Sequence, residues 1–176
     1  GREAIALSKL GFQVTGVDFV EASVERAKQN ALKRGKKITG LVKEISRLEI
    51  PPGTYDVIWM SRSMYSTIPT RKRRVDMLRR LAKGLKPSGT LVCQYHRDSN
   101  LNLSNREVAF RRLIAALTFG NREYEPGDLL WLDIEFIHAF SSEDQVKSEL
   151  KAGGFEPLKF FSDQNPTRAA VVCKVK

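Results

Sequence analysis

The chain has 176 residues, 41% of them hydrophobic, which is enough for one core and too much for a disordered chain. Thirty Lys and Arg outweigh twenty Asp and Glu, giving a formal net charge of +10. Its two cysteines, Cys93 and Cys173, exclude a disulfide framework or a four-ligand zinc site and fit a reducing, cytoplasmic setting. No apolar run approaches the ~20 residues of a membrane span.

The charge is uneven. Residues 1–100 carry twenty basic and nine acidic side chains, and residues 101–176 carry ten and eleven. One basic cluster is Arg26, Lys28, Lys33, Arg34, Lys36 and Lys37. The other is Arg71, Lys72, Arg73, Arg74, Arg79, Arg80, Lys83 and Lys86. Such clusters are either solvated helix faces or surfaces for nucleic acid and other acidic ligands.

Residues 2–10 read as a helix with Ile5 and Ala6 inward, stopped by Gly11. Residues 12–17 read as a buried strand ending at Asp18. Residues 21–33 read as a helix with Val24, Ala27 and Ala31 at helical spacing, and residues 38–43 as a second strand. Pro51-Pro52-Gly53 marks a turn before a third strand at 55–60. A strong helix follows over 70–85, with Val75, Leu78, Leu81, Ala82 and Leu85 inward. Pro87-Ser88-Gly89 turns into a strand at 90–95, a helix fits 105–118, and Gly120, Asn121, Pro126 and Gly127 mark 120–128 as loop. Residues 130–140 alternate as a strand. Ser142 caps a helix at 143–152, with Gln145 at the capping-box position, and residues 169–175 form a final strand. Neither a repeat nor a linker divides the chain, so residues 1–176 read as a single domain.

Alternating strands and helices imply a parallel sheet with helices on both faces, and ligands in such sheets bind beyond the carboxyl ends of the strands. That directs attention to Asp18, Glu44, the stretch from Ser61 to Tyr65, and the stretch from Tyr95 to Asp98. Asp18, between a strand and a helix, is placed either to accept hydrogen bonds from ribose hydroxyls or to cap the helix. His96 at a strand end serves a pocket or is a solvated or capping residue. His138, inside the strand at 130–140, faces the pocket or satisfies a local hydrogen bond. Arg62 has the fork geometry to pair with a substrate carboxylate or phosphate. Tyr65 could hydrogen-bond an acceptor, whereas Tyr95, Trp59, Cys93 and Cys173 read as core. No metal-ligand spacing appears.

Taken together, three blocks carry a resemblance: Gly-Arg-Glu-Ala-Ile-Ala-Leu-Ser-Lys-Leu-Gly-Phe-Gln-Val-Thr-Gly-Val-Asp at 1–18, Tyr-Asp-Val-Ile-Trp at 55–59, and Leu-Ala-Lys-Gly-Leu-Lys-Pro-Ser-Gly-Thr-Leu-Val at 81–92. With the capped helix ending in Ala-Gly-Gly-Phe at 152–155, they make the chain resemble the class I S-adenosylmethionine-dependent methyltransferases over nearly its whole length. The resemblance implies an α/β, Rossmann-like seven-stranded sheet of order 3-2-1-4-5-7-6 with strand 7 antiparallel. It implies S-adenosylmethionine as cofactor, with Asp18 on the ribose, Phe19 against the adenine and Glu44-Ile45 reading the adenine amino group. Ser61, Arg62 and Tyr65 match the edge of the methyl-transfer pocket, Ser61 on the cofactor side and Arg62 and Tyr65 on the substrate side. His96, His138 and Tyr65 are the candidate catalytic groups. The loop Ser61-Arg62-Ser63-Met64-Tyr65 lacks the Asn/Asp-Pro-Pro-aromatic motif of methylases that act on exocyclic base nitrogens.

Compared with that family, the chain begins at what matches the last glycine of the cofactor-binding loop, Gly1. Strand 1 and most of the loop are absent, so the domain is expected to be N-terminally incomplete. The expected activity is methyl transfer to a small-molecule acceptor by direct displacement. The alternatives are a nucleic-acid methyltransferase, motivated by the basic clusters, and a non-catalytic binding module of the same fold. A nicotinamide-binding Rossmann domain is a lesser rival, disfavoured by the antiparallel last strand.

Overall fold

A computed structural model describes residues 1–98, 104–117, 123–131, 135–165 and 167–176. The chain divides into two compact units, Gly1–Leu48 and Glu49–Lys176. Among the described residues no helix is long and apolar enough to cross a membrane.

The first unit contains α1 (Arg2–Lys9), β1 (Thr15–Asp18), α2 (Glu21–Leu32), β2 (Thr39–Val42) and a 3-10 turn at Ile45–Arg47. β1 and β2 are parallel, with Thr15 opposite Thr39 and Asp18 opposite Val42. The ladder is prolonged by Thr39 N–H donating to Val14 O and Lys43 N–H donating to Asp18 O, both at 2.9 Å. Ile5, Ala31 and Ile38 form the small core, with Ala4, Val14 and Ala27 packed on it. Small residues let α2 lie close: a Cβ on Gly40 would meet Val24 Cγ1 at 2.4 Å. β1 is half-buried and not fully buried as its apolar sequence suggests, because it pairs with β2 alone in a two-stranded sheet. Ala6, expected inward, is exposed, and Ser8 is buried instead.

In the second unit lie β3 (Tyr55–Met60), α3 (Arg62–Ser66), α4 (Arg71–Gly84), β4 (Leu85–Arg97), α5 (Asn105–Leu117), β5 (Asp128–Trp131), β6 (Glu135–Phe140), α6 (Glu143–Ala152), β7 (Phe155–Ser162) and β8 (Arg168–Val175). β4 is the central strand. One edge pairs antiparallel with β8 from Thr90 to His96, and β8 in turn pairs antiparallel with β7. The other edge pairs parallel with β3 up to Cys93 and then, at His96 and Arg97, with β6. The strands β3, β4, β8 and β7 thus lie side by side, with the last strand of the chain antiparallel to β4. A second stretch is the parallel pair β1-β2.

Alternation sets the faces. Leu91, Cys93 and Tyr95 on β4 and Ala169, Val171 and Cys173 on β8 are buried, as period-two packing under a covering layer requires. α4 buries Val75, Met77, Leu78 and Leu81 at helical spacing, and α6 buries Val146 and Leu150. Ser142 Oγ accepts from Gln145 N–H, and Gln145 Oε1 accepts from Ser141 N–H, a cap that reaches one residue further back than the usual box. Gly53, with φ 63°, makes the Pro51-Pro52-Gly53 turn possible. The turn then caps α4, since Gly53 and Thr54 N–H donate to the carbonyls of Lys83 and Gly84.

Three local expectations need correction. The stretch after β3 is a short helix and not a loop: Ser61 Oγ accepts from Met64 N–H and starts α3. The strand expected over 130–140 is two, β5 and β6, paired antiparallel with Asp128 opposite His138; residues 132–134 lie outside the described residues, as do Gly120 and Asn121. β4 begins at Leu85, and the Pro87-Ser88-Gly89 turn is an excursion within it, because Tyr55 faces Leu85 while Val57 faces Thr90.

Candidate active site

In the first unit the carboxyl edge of the two-stranded sheet carries Asp18. Its Oδ1 accepts Val20 N–H at 2.9 Å, which turns the chain into α2, and Oδ2 takes no hydrogen bond among the described residues. Phe19 beside it is 74% exposed, an unusual position for a large apolar ring. Two residues beyond Val42, Glu44 holds Ser46 Oγ through one carboxylate oxygen and Arg47 through the other at 3.4 Å. Ile45 follows, half-buried. Gly1 caps α1 through its carbonyl, which accepts Ile5 N–H, and a Cβ there would lie 2.6 Å from Ala27 Cβ.

In the second unit the carboxyl edge of β3 and β4 carries Ser61, Arg62, Tyr65 and His96. Where β3 leaves β4, side-chain bonds replace the ladder: Ser66 Oγ accepts His96 N–H at 3.0 Å, fixing the end of α3 against β4. His96 is 6% exposed, and its pKa falls to about 4, chiefly through burial and then through the charge of Arg62. Its imidazole is therefore neutral at pH 7. Arg62 is half-buried, and its own pKa is lowered by burial and by Arg168.

Tyr65 is not at the lip of a pocket. It is fully buried, and its hydroxyl donates to Glu149 Oε2 at 2.8 Å. Burial, then the Glu149 charge, raises its pKa well above the phenol range. Glu149 also takes a two-pronged bond from Arg74, Nε at 2.9 Å and an NH2 group at 2.8 Å. Arg74 donates further to Glu125 at 3.0 Å and to Ile68 O at 3.2 Å. Burial alone would depress its pKa, but the bond and charge of Glu149 outweigh that and raise it.

His138 belongs to this buried network and satisfies a local hydrogen bond. Its Nδ1 lies 2.7 Å from Asp128 Oδ1, and Asp128 Oδ2 accepts Glu125 N–H. Phe140 joins the parts: Tyr65 stacks on it at 5.7 Å, Tyr95 and His138 meet it edge-on, and Arg74 sits 5.5 Å from its centre. Donor atoms of Glu125, Asp128 and His138 lie within 4.8 Å of one another. The Arg74 guanidinium and backbone N–H groups already answer those carboxylates, so the cluster is a hydrogen-bonded strut between β5, β6 and α4. Sequence reasoning missed Arg74, Glu149, Ser66 and Arg168. The available signal was a charge on the apolar face of each of two helices: Arg74 next to Val75, and Glu149 next to Leu150.

The second basic cluster is largely answered from within. Lys72 and Arg79 pair with Asp76, Arg73 with Glu123, Lys86 with Asp56, and Arg74 is buried.

Comparison with known proteins identifies the family and the fold. The family profile described as "Methyltransferase domain" matches residues 1–89. No curated protein matches the chain. A S-adenosylmethionine-dependent methyltransferase from Methanosarcina mazei superposes with a TM-score of 0.73 at 20% identity, over 97% of this chain and 85% of that one. The CcbJ methyltransferase from Streptomyces caelestis gives 0.74 at 14% identity, over 99% and 79%. The 1,6-didemethyltoxoflavin-N1-methyltransferase of Burkholderia thailandensis, solved with 1,6-didemethyltoxoflavin and S-adenosylhomocysteine, gives 0.70 at 15% identity, over 100% and 67%.

Proposed function

Since this chain belongs to the methyltransferase-domain family and is a class I S-adenosylmethionine-dependent methyltransferase, we propose that it methylates a small-molecule acceptor by direct displacement. The observation behind the choice of acceptor is that Lys72, Arg73, Arg79 and Lys86 of the second basic cluster have acidic partners within the chain and Arg74 is buried, so the cluster is not a bare cationic face for a phosphate backbone. The bound small molecule in the Burkholderia thailandensis enzyme is consistent with this reading.

The residues of the first unit suit the cofactor. Asp18 offers Oδ2 to ribose hydroxyls while Oδ1 fixes its orientation. Exposed Phe19 offers a ring face to the adenine and Glu44-Ile45 an acceptor and an apolar neighbour to its edge, while Gly1, packed closely on Ala27, starts α1 where the family's cofactor loop would end. When bound, the cofactor supplies an electrophilic methyl group on a sulfonium, and the leaving thioether is neutral. The chain's own part is therefore positioning and desolvation. Ser61 starts α3 at the sheet edge, and Tyr65 and Ser66 lock that helix to the core, so Arg62 is presented on a fixed support. Neutral His96, at the end of β4 beside Arg62, is our candidate to receive a proton from an acceptor that becomes strongly acidic on methylation. Tyr65 and His138 act as positioning residues.

The test is calorimetry with S-adenosylmethionine and S-adenosylhomocysteine, with a small-molecule and an RNA panel as acceptors. Asp18→Ala is expected to weaken both cofactors by ~1–3 kcal/mol, the scale of lost hydrogen bonds that leave partners unpaired. Wild-type affinity in that variant refutes the ribose assignment. Salt-sensitive RNA binding with RNA methylation refutes the small-molecule reading.

A further inference from the structure

Three basic side chains from three elements converge where β4 ends. His96 and Arg168 are directly opposite in the antiparallel β4–β8 ladder, so their side chains stand on one face of the sheet. Ser66 Oγ on His96 N–H turns one face of α3 to that strand end, and Arg62, four residues earlier, shares that face. Arg97, the next residue of β4, points to the opposite face and pairs with Glu143.

Among the described residues no carboxylate answers Arg62. It makes no hydrogen bond or ion pair among the described residues, although it is half-buried and near a second guanidinium. Most arginines of this unit have an acidic or carbonyl partner. Arg168 has only a long contact to Asp163, 3.7 Å with both groups more than half exposed, which a competing anion can displace at little cost. Like charges held close together are unfavourable: burial first, and then the charge of Arg168 on Arg62 and of Arg62 on His96, lowers the pKa of both groups. A guanidinium pair open to solvent beside a neutral imidazole matches an oxyanion, which each fork can take through two parallel bonds.

We propose that Arg62 and Arg168 bind an oxyanionic group of the methyl acceptor, a carboxylate or a phosphate, with His96 beside them. This rests on the methyltransferase reading and narrows its substrate class to small anionic acceptors.

The test titrates benzoate, phenyl phosphate and neutral benzamide into the full chain by calorimetry, with and without S-adenosylhomocysteine. At least one anion is expected to bind ten-fold or more tightly than benzamide, and the tighter of the two assigns the group. Arg62→Gln should abolish that preference, Arg168→Gln should reduce it several-fold, and Arg62→Lys should keep part of it. S-adenosylhomocysteine affinity should stay within two-fold in all three variants. Because Arg62 bonds to none of the described residues, its variants should melt with the wild type. Equal binding of anions and benzamide, or an intact preference in Arg62→Gln, overturns the inference. Anion preference without S-adenosylhomocysteine binding overturns the cofactor reading instead and leaves the anion site standing.

Discussion

Glu149→Gln removes one charge from a carboxylate that is only 4% exposed and holds two other side chains in place. At 2.8 Å and an effective dielectric of about 20, the Arg74–Glu149 attraction is about 6 kcal/mol before desolvation is counted. Burying both ions offsets much of that, so the native pair is worth far less than its Coulomb energy. The variant, however, keeps the cost and loses the attraction: Arg74 remains 1% exposed with only Glu125, 3.0 Å away, as an ionic partner. Breaking such a pair on one side costs about 3–5 kcal/mol. For a chain of this size each kcal/mol is roughly 2–4 °C, so the melting temperature should fall by roughly 6–20 °C. Urea titration followed by far-UV circular dichroism gives the free energy directly. A double-mutant cycle with Arg74→Met and Glu149→Leu should show a coupling of at least ~1 kcal/mol. A Glu149→Gln variant within about 1 kcal/mol of wild type, or a cycle without coupling, refutes the claim that this network ties α4, α6 and α3 together.

The Tyr95 hydroxyl is buried without a hydrogen-bond partner among the described residues, and burial pushes its pKa to about 12. Tyr95→Phe should therefore leave stability unchanged or raise it by up to ~1 kcal/mol; a clear loss in urea titration would reveal a partner for that oxygen. His96 titrates near 4 when folded and near 6.5 when unfolded. Below pH 6.5 the unfolded chain takes up a proton that the folded one excludes, so stability falls between about pH 6.5 and 4, by about 3 kcal/mol from this group. His96→Asn should flatten that part of the pH profile, and an unchanged slope would count against a buried neutral imidazole. A Cβ at Gly153 would lie 2.4 Å from Leu78 Cβ, so Gly153→Ala should push α6 from α4 and cost about 1–3 kcal/mol by thermal melting.

Patterns with a period were legible in the sequence. α4, α6 and β3 fall within a residue or so of their expected ranges because apolar spacing and caps such as Ser142 are local signals. α3 was hidden, since five residues carry no measurable period and its only signature is a serine before a polar run. β7 escaped because Pro157 and the alternation break at Phe160-Phe161 obscure a strand whose register itself shifts between Pro157 and Lys159. At the site, the strand-end positions of Asp18 and His96 followed from topology alone. The fate of Tyr65 and His138 did not, because their partners Glu149 and Asp128 lie 84 and 10 residues away. Nor did Arg62 reveal its neighbour: Arg168 is brought opposite His96 only by the antiparallel turn of the last strand.

β4 changes neighbour along one edge, from β3 up to Cys93 to β6 at His96. On that edge, Ser66 of a five-residue helix holds the His96 N–H where the ladder is interrupted, while the other edge stays paired with β8 throughout. A stretch that contributes no ladder bonds can change its sequence without unzipping the sheet. Arg62 makes no bond among the described residues, so its substitution leaves the anchors Tyr65 and Ser66 in place. Under the proposed anion site, contact with the acceptor and stability of the fold fall to different residues of the same short helix, Arg62 for the one and Tyr65 and Ser66 for the other.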